Sequence, residues 1–300
     1  MHDLATQATL AFDLGGTKLL AALVHDGAIL ERREIPTERD IGPDGWLERM
    51  SAIAADWSEK FARVGVAVTG QIHGGIWSPL NRETLDLPSD FALADKLAAC
   101  MDQPAFIIND AQAAAWGEYH HGSSEHQDMV FLTVSTGIGG GIVLNGHLAQ
   151  GRSGLSGHFG QTSMDRITVD APMENEASGR WIADQAKRLG HPADTPAVFE
   201  AARLGADWAN NILDQSAHKV GILSRNIQLI LDPQFVVVGG GVGLADGYLD
   251  RVIAHCAELP DSQRPTFRRA VLGSDAGVLG VAELANKHLH FNQGGPNEIR

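Results

Sequence analysis

Two stretches of this chain carry the same succession of apolar runs, glycine turn and tight-turn dipeptide. This internal repeat limits the folds that the chain can adopt. Residues 9–18 (TLAFDLGGTK) and 131–141 (FLTVSTGIGGG) are apolar, β-branched runs that each break into a glycine turn beside a threonine. A second apolar run follows each turn and leads to a tight-turn dipeptide, Asp-Gly at 26–27 or Asn-Gly at 145–146, and then a third run. Each copy therefore predicts strand, glycine loop, strand, hairpin and strand.

Composition indicates a globular chain of two domains or lobes. Its 300 residues are 44% hydrophobic, enough for a large core, and the net charge of -14 without a Lys/Arg cluster disfavours nucleic acid and anionic membranes as partners. The two cysteines, Cys100 and Cys256, lie far apart, so the sequence predicts no disulfide framework and no cysteine-built zinc site. With no targeting segment and no run of roughly 18 apolar residues, we expect a cytoplasmic protein.

Periodicity places the other elements. It predicts helices over residues 44–61, 111–119, 174–189, 206–231 and 278–288, and strands over 64–68, 105–108 and 235–238. The strand at 105–108 delivers Asn109 and Asp110 to a strand end, where α/β sheets place ligand groups. A polar, aperiodic segment begins at residue 120. We therefore expect a first lobe over 1–119, completed by the C-terminal helix 278–300, and a second lobe over 120–277.

Glycine turns after strands can cradle phosphates, because successive backbone N–H groups converge where no Cβ intervenes. A single such turn is commonly a plain hairpin connection. Three of them at strand ends, including 239–243 and the two that neighbour Thr17 and Thr136, favour a nucleotide site. None fits the P-loop or the dinucleotide-binding pattern, so the cradle is of another type.

Four motifs, in this order, resemble the sugar kinases of the ROK family within the actin-like ATPase superfamily: residues 13–18 (DLGGTK), 109–110 (ND), 136–141 (TGIGGG) and 239–241 (GGG). The resemblance covers nearly the whole chain. It implies an α/β, ribonuclease H-like fold of two lobes with an active-site cleft between them, ATP and Mg²⁺ as cofactors, and a homodimer.

The resemblance also implies roles for individual residues. Nucleotide binding is expected of Asp13, Gly15, Gly16, Thr17, Lys18, Thr136, Gly137, Gly139, Gly239, Gly240 and Gly241. Asp13 would orient Mg²⁺ through water, and Asp110 matches the family's catalytic base, which accepts the proton of the attacking sugar hydroxyl. The alternative is that Asp110 only caps the following helix.

On the sugar side the resemblance implies contacts from Gly70, Gln71, Asn109, Asp110, Gly137, His158, Gln161 and Glu174. Family hexokinases carry Gly-Glu-x-Gly-His and then a cysteine-rich zinc motif, whereas this chain has GHFGQ at 157–161 and no cysteine after it. We therefore expect no structural zinc, because Gln161 replaces a ligand and the cysteines are missing with it. His158, in place of the usual glutamate, resembles the N-acetylmannosamine kinases of the family. The alternative is a solvent-facing histidine.

The expected function is thus ATP-dependent 6-phosphorylation of N-acetylmannosamine in sialic acid catabolism. A glucokinase or N-acetylglucosamine kinase of the same family is the alternative enzyme. A non-catalytic, sugar-sensing regulator is the alternative from another class, since the family includes repressors. Repressors carry a helix-turn-helix before the first motif, and only 12 residues precede Asp13 here, so we expect an enzyme.

Overall fold

The computed structural model describes residues 8–82, 84–122, 127–163 and 172–291, without the side chains of 289–291. The chain divides into two compact units. The first unit combines Met1–Ser124, Gln150–Ser156 and Ser274–Arg300, and the second combines Glu125–Ala149 and Gly157–Gly273.

The described residues form twelve strands and ten α-helices. The strands are β1 (Ala8–Leu14), β2 (Lys18–His25), β3 (Ala28–Pro36), β4 (Phe61–Val68), β5 (Gln71–His73), β6 (Ile76–Ser78), β7 (Ala105–Asn109), β8 (Met129–Val134), β9 (Ile138–Leu144), β10 (His147–Leu148), β11 (Phe235–Gly239) and β12 (Phe267–Arg269). The α-helices are α1 (Gly42–Ile53), α2 (Leu93–Met101), α3 (Asp110–Gly117), α4 (Glu174–Ala177), α5 (Gly179–Arg188), α6 (Thr195–Arg203), α7 (Asp207–Leu231), α8 (Gly240–Gly243), α9 (Tyr248–Cys256) and α10 (Ala276–Phe291).

Each unit contains a five-stranded sheet of the same design. The first sheet has the order β3-β2-β1-β4-β7 and the second has the order β10-β9-β8-β11-β12. In both, the first three strands are an antiparallel meander and the last two join in parallel. The duplication predicted from the sequence is therefore confirmed, and it places the glycine turn between β1 and β2 in one unit and between β8 and β9 in the other.

The two hairpin dipeptides have the backbone that the sequence predicts. Asp26 and Gly27 have φ values of 48° and 73°, and Asn145 and Gly146 have φ values of 51° and 74°. Two consecutive residues with positive φ define a type I′ turn, whose twist matches that of the flanking strands. These turns fix the register of β2 on β3 and of β9 on β10.

Two of the predicted helices are cut short or interrupted, whereas the other three agree with the structure within three residues at each end. The helix predicted over 44–61 ends at Ile53, because the chain tightens into a 3-10 turn at Ala55–Trp57 that buries Trp57, and Phe61 then begins a strand. The helix predicted over 174–189 is interrupted at Ser178, which has extended backbone and accepts the Trp181 N–H as the N-cap of α5.

In the first unit, α3 packs backbone to backbone on α10. A Cβ added to Gly280 would lie 1.8 Å from the Ala113 carbonyl oxygen and 2.7 Å from the Gly117 nitrogen. A Cβ added to Gly117 would lie 2.3 Å from the Ala276 carbonyl oxygen. Glycines at these positions therefore allow the two helices to approach closely, which fixes the helix that begins with Asp110.

Candidate active site

Asp110 lies at the start of α3, directly after β7. The N-cap of α3 is Asn109, whose side-chain oxygen accepts the N–H groups of Ala111 (3.0 Å) and Gln112 (3.1 Å). The Asp110 Oδ1 atom accepts the Ala111 N–H at 2.8 Å. Asp110 thus shares the Ala111 N–H with Asn109 and adds to a cap that Asn109 already provides, and the choice between capping and catalysis stays a prediction. The Asp110 carboxylate sits at a helix N-terminus, which favours its negative charge.

Asp13, near the end of β1, is the second carboxylate of the candidate site. The pKa of Asp13 is raised from 3.8 to about 7, chiefly by burial and then by the negative charge of Asp110, while the Lys18 ammonium opposes both. Gly277 in the first turn of α10 makes room for Asp13, since a Cβ there would lie 2.6 Å from its Oδ2 atom. The fold thus brings together the two carboxylates predicted from the sequence, at an energetic cost that a cation would relieve.

Replacing Asp13 with Asn should stabilise the protein without nucleotide or metal, and the gain should grow with pH. The unfolded carboxyl ionises near its ordinary pKa of 3.8 and the folded one near 7, so ionisation costs stability progressively between those values. The rise in melting temperature of Asp13→Asn over the parent should therefore increase from pH 4 to 7. Asp56→Asn is the control, because hydrogen bonding to Arg33 lowers the pKa of Asp56 to about 2. A gain independent of pH would contradict this pKa.

The first glycine turn is held by its own backbone. The Gly15 N–H donates to the Lys18 carbonyl at 3.1 Å, and the Thr37 hydroxyl donates to the Gly15 carbonyl at 2.8 Å. A Cβ on Gly16 would lie 2.9 Å from the Thr84 Cγ2 atom. Neither Gly15 nor Gly16 has a positive φ. Gly16 is therefore required by the close approach of Thr84 and not by its backbone conformation.

The polar side chains of this turn face outward. Thr17 is exposed, and its carbonyl accepts the Thr37 N–H at 3.0 Å. The Lys18 ammonium pairs with Glu34 at 3.2 Å, and both side chains are partly exposed. An exposed pair of this kind contributes little stability, so an incoming phosphate can compete for the lysine.

Gly70 lies in the turn after β4, beside Asn109, and Gln71 is the first residue of β5. The Asn109 side-chain nitrogen donates to the Gly70 carbonyl at 3.0 Å. Gly70 has φ +109°, and a Cβ there would lie 2.7 Å from the Ser78 carbonyl oxygen. The Gln71 side-chain nitrogen donates to the Ser153 carbonyl at 2.7 Å. Gln71 therefore anchors the loop at 150–156.

Gln112 anchors the same loop and was missed by the sequence analysis. It is 1% exposed, and its side-chain nitrogen donates to the carbonyls of Gly154 (3.3 Å) and Ser156 (2.7 Å). A Cβ on Gly154 would lie 1.9 Å from the Ile72 carbonyl oxygen. The sequence placed Gln112 at the start of a helix, in the first turn of α3, but it could not show the partners of the side chain.

In the second unit, the turn at 135–137 meets the N-terminus of α5. The Gly179 N–H donates to the Ser135 carbonyl at 2.7 Å, and the Arg180 N–H donates to the Thr136 carbonyl at 3.2 Å. Thr136 is exposed. Gly139, also predicted to bind nucleotide, lies within β9 opposite Thr133 of β8 rather than in the turn.

Glu174, Gln161 and Gly137 lie together in this unit. The Gln161 side-chain nitrogen donates to the Glu174 Oε1 atom at 2.9 Å. A Cβ on Gly137 would lie 2.7 Å from the Glu174 Oε2 atom. Glu174 is 8% exposed, whereas Gln161 is exposed. Three of the residues predicted to contact sugar are thus neighbours.

His158 precedes a short 3-10 turn, Phe159–Gln161, and is half-buried. Gly157 before it has φ +84°, and a Cβ there would lie 2.7 Å from the Gly140 carbonyl oxygen. The backbone of the glycine run therefore packs directly on β9 and fixes the position of His158. The loop expected to replace the zinc motif lies largely at 164–171, outside the described residues.

A cavity of about 970 Å³ opens in the second unit. Thr136 and Gly241, from two of the predicted nucleotide motifs, line it together with Phe199, Arg203 and Arg251. The size lies within the range of small-molecule and cofactor sites. Its walls combine an aromatic ring, three arginines and the N-terminus of α5 with the carboxylates of Asp194, Glu200 and Asp246. Aromatic and polar walls of this kind suit a polar ligand with a flat ring system.

The cavity arginines are held by neighbouring side chains. Arg203 donates two hydrogen bonds to Glu200, at 2.6 and 2.7 Å, and Arg251 donates to Asn210 at 2.6 Å. The sequence analysis missed these arginines, because it did not predict α6 and cannot show which helices surround a cavity.

The three glycines at 239–241 have two different roles: the first two allow close packing, and the third lines the cavity. A Cβ on Gly239 would lie 2.8 Å from the Phe131 ring, and Gly240, with φ +83°, approaches the Val134 carbonyl so closely that a Cβ would lie 2.4 Å from it. Gly241 has open space and lines the cavity. The first two glycines therefore allow β11 and α8 to pack on β8.

Within the described residues, no group of three or more His, Cys, Asp or Glu side chains is arranged to hold a metal ion. No described helix is both long and apolar enough to cross a membrane.

Comparison with known proteins gives concordant matches. The model of the ROK family matches residues 9–288. The bifunctional enzyme NanE/NanK of Brucella melitensis is 46% identical over 276 residues, covering 92% of this chain and 53% of that enzyme, so the chain spans about half of its length. The N-acetylmannosamine kinase of Escherichia coli O157:H7 is 41% identical over 284 residues, covering 92% of this chain and 98% of that protein.

A solved structure has a similar fold. The ROK family glucokinase from Streptomyces griseus, in complex with glucose and AMPPNP, superposes with a TM-score of 0.76 at 28% identity. The match covers 93% of this chain and 99% of the glucokinase.

Proposed function

The chain belongs to the ROK family, with the actin-like ATPase fold of its sugar kinases, and from this premise we propose that it is an N-acetylmannosamine kinase. It would transfer the γ-phosphoryl group of ATP to the 6-hydroxyl of the sugar, as a step in sialic acid catabolism. The observation that carries the proposal is the Asp110 carboxylate at the start of α3, which the Ala111 N–H orients. Asp13 lies close to it, since the charge of Asp110 helps to raise the pKa of Asp13. The relatives named for this activity support the choice of sugar.

Asp110 would act as the general base. Phosphoryl transfer asks a protein mainly for positioning and charge stabilisation, and in addition for one group that accepts the proton of the attacking hydroxyl. The Ala111 N–H holds the Oδ1 atom of Asp110, which limits rotation of the carboxylate. A base of this kind typically contributes about 10²–10⁴ in rate.

Asp13 would hold Mg²⁺ through water. Mg²⁺ is bound in kinases by one or two carboxylates together with substrate phosphates and water, and it supplies positive charge against the phosphates when bound. The donor set fits, because Asp13 is a carboxylate with a pKa raised to about 7 by burial and by Asp110, and a neighbouring cation would stabilise its ionised form.

The second unit would bind the nucleotide. The turn at 135–137 ends at the cavity lined by Thr136, Phe199 and Arg251, whose volume of about 970 Å³ can accept an adenosine. The relative solved with AMPPNP supports ATP as the donor. Exclusion of water during the reaction would prevent wasteful hydrolysis of ATP.

Sugar selectivity would depend on His158 and on the Glu174 carboxylate. A histidine can donate or accept a hydrogen bond, whereas the glutamate that family hexokinases have at this position can only accept when ionised. The substitution would therefore change which hydrogen bonds a 2-acetamido group can make. Asn109 can still donate one amide hydrogen after its contacts with the Gly70 carbonyl and the α3 backbone. The homodimer and the cytoplasmic location expected from the sequence stay predictions.

The test is ADP release with Mg²⁺-ATP and four sugars in parallel: N-acetylmannosamine, N-acetylglucosamine, glucose and mannose. We expect kcat/KM to be highest for N-acetylmannosamine by at least about tenfold, which corresponds to about 1.4 kcal/mol of differential transition-state binding. A preference for glucose or N-acetylglucosamine would support the kinase activity but contradict N-acetylmannosamine as the acceptor. Binding of a sugar without turnover would favour the regulator.

A further inference from the structure

Gln161 occupies the position at which the family hexokinases have a histidine that binds zinc. A structural zinc takes four nitrogen or sulfur ligands from His and Cys, and position 161 offers an amide. Cys100 lies in α2, and Cys256 lies in α9 with its sulfur directed at the Gly221 carbonyl. The donor set therefore does not fit zinc, and other groups must orient Glu174.

Two hydrogen bonds connect residues 161–162 with residues 173–174. The Gln161 side-chain nitrogen donates to the Glu174 Oε1 atom at 2.9 Å, joining the two ranges through side chains. The Met173 N–H donates to the Thr162 carbonyl at 2.7 Å, joining the same two ranges through the backbone. These two bonds join Gln161 and Thr162 to Met173 and Glu174 with groups that this chain itself provides.

The Glu174 carboxylate is confined on both sides. Its Oε1 atom accepts from Gln161, and its Oε2 atom lies where a Cβ on Gly137 would be only 2.7 Å away. Since Glu174 is 8% exposed, its orientation depends on the protein groups that surround it. A hydrogen bond to a charged acceptor is among the stronger ones in proteins, so an amide donor can hold the carboxylate in one rotamer.

We propose that Gln161 is a positioning residue that orients the Glu174 carboxylate for the sugar, in place of the metal-bound histidine of its relatives. This inference rests on the proposed function, because the group being oriented is a sugar contact. The amide carries no charge and does not titrate, so the orientation would be independent of zinc and of pH across the neutral range.

The experiment is a double-mutant cycle on the purified full chain with Gln161→Met, Glu174→Gln and the double variant. Met keeps the length of Gln and removes its donor. We expect Gln161→Met to raise the KM for N-acetylmannosamine about tenfold, the value of one hydrogen bond to a charged group, with the KM for ATP and the melting temperature unchanged. If Gln161 acts through Glu174, the double variant should be no worse than Glu174→Gln alone.

Gln228→Met is the matched control, because Gln228 makes the same amide-to-carboxylate bond, to Asp232 at 2.8 Å, at the exposed end of α7. It should leave both KM values unchanged. A zinc chelator that spares Mg²⁺ should also leave the KM for the sugar unchanged.

The inference is overturned if the parent is active and Gln161→Met keeps its KM for the sugar, if the two substitutions add independently, or if chelation raises that KM. Equal rises in both KM values with a lower melting temperature would mean a structural role only and would also overturn it. A parent that releases no ADP with any sugar would instead reject the proposed function, and this inference with it.

Discussion

Asp110→Asn should lower kcat for sugar phosphorylation by about 10²–10⁴, the usual contribution of a general base. Asn has almost the same shape and can still accept the Ala111 N–H through its side-chain oxygen, so the start of α3 should be preserved. It cannot accept the proton of the sugar hydroxyl. The loss should therefore fall on kcat, while the sugar still binds with an affinity close to that of the parent.

The measurement is steady-state ADP release together with calorimetric titration of the sugar. Asp207→Asn is the control, because it removes a carboxylate from the first turn of another helix, α7, and should leave kcat unchanged. Turnover of Asp110→Asn at the parental rate would contradict the assignment of the base. A comparable loss of sugar affinity would mean that Asp110 chiefly binds.

Gly280→Ala should destabilise the first unit by about 1–3 kcal/mol or more, which is the typical cost of overpacking a core. The added Cβ would lie 1.8 Å from the Ala113 carbonyl oxygen and 2.7 Å from the Gly117 nitrogen. Both are backbone atoms, so no change of rotamer can relieve the clash, and α3 must move away from α10. Because α3 begins with Asp110, kcat should fall together with stability.

The free energy of unfolding in urea, with kcat measured on the folded fraction, checks this expectation. Gly241→Ala is the matched control for stability, since a Cβ there meets no atom within 4 Å in the short helix α8. A Gly280→Ala variant as stable as the parent would contradict the close packing of α3 on α10.

Much of the fold was predictable because its signals are local. The duplicated meanders show in two glycine turns and in two hairpin dipeptides, at 26–27 and 145–146, whose positive φ values the structure confirms. The interruption at Ser178 was not predictable from periodicity, because the apolar spacing continues across it while its side chain caps the next helix. The lobe limits inferred from the sequence stay a prediction.

The candidate site was predictable to the extent that it lies in motifs. Asp13 and Asp110 occur at strand ends, and parallel pairing of β1, β4 and β7 places those ends at one edge of the sheet. Gln112 and Arg251 were not predictable, because their roles depend on long-range contacts with the loop at 150–156 and with the cavity. Such contacts leave no periodic trace in the sequence.

The kinase reaction is tested most directly by identifying the product formed from N-acetylmannosamine and Mg²⁺-ATP, by mass spectrometry and phosphorus NMR, alongside the ADP released. We expect one N-acetylmannosamine 6-phosphate for each ADP, with Asp110→Asn as the blank. Release of ADP without a phosphorylated sugar, or phosphate on another hydroxyl, would contradict this expectation.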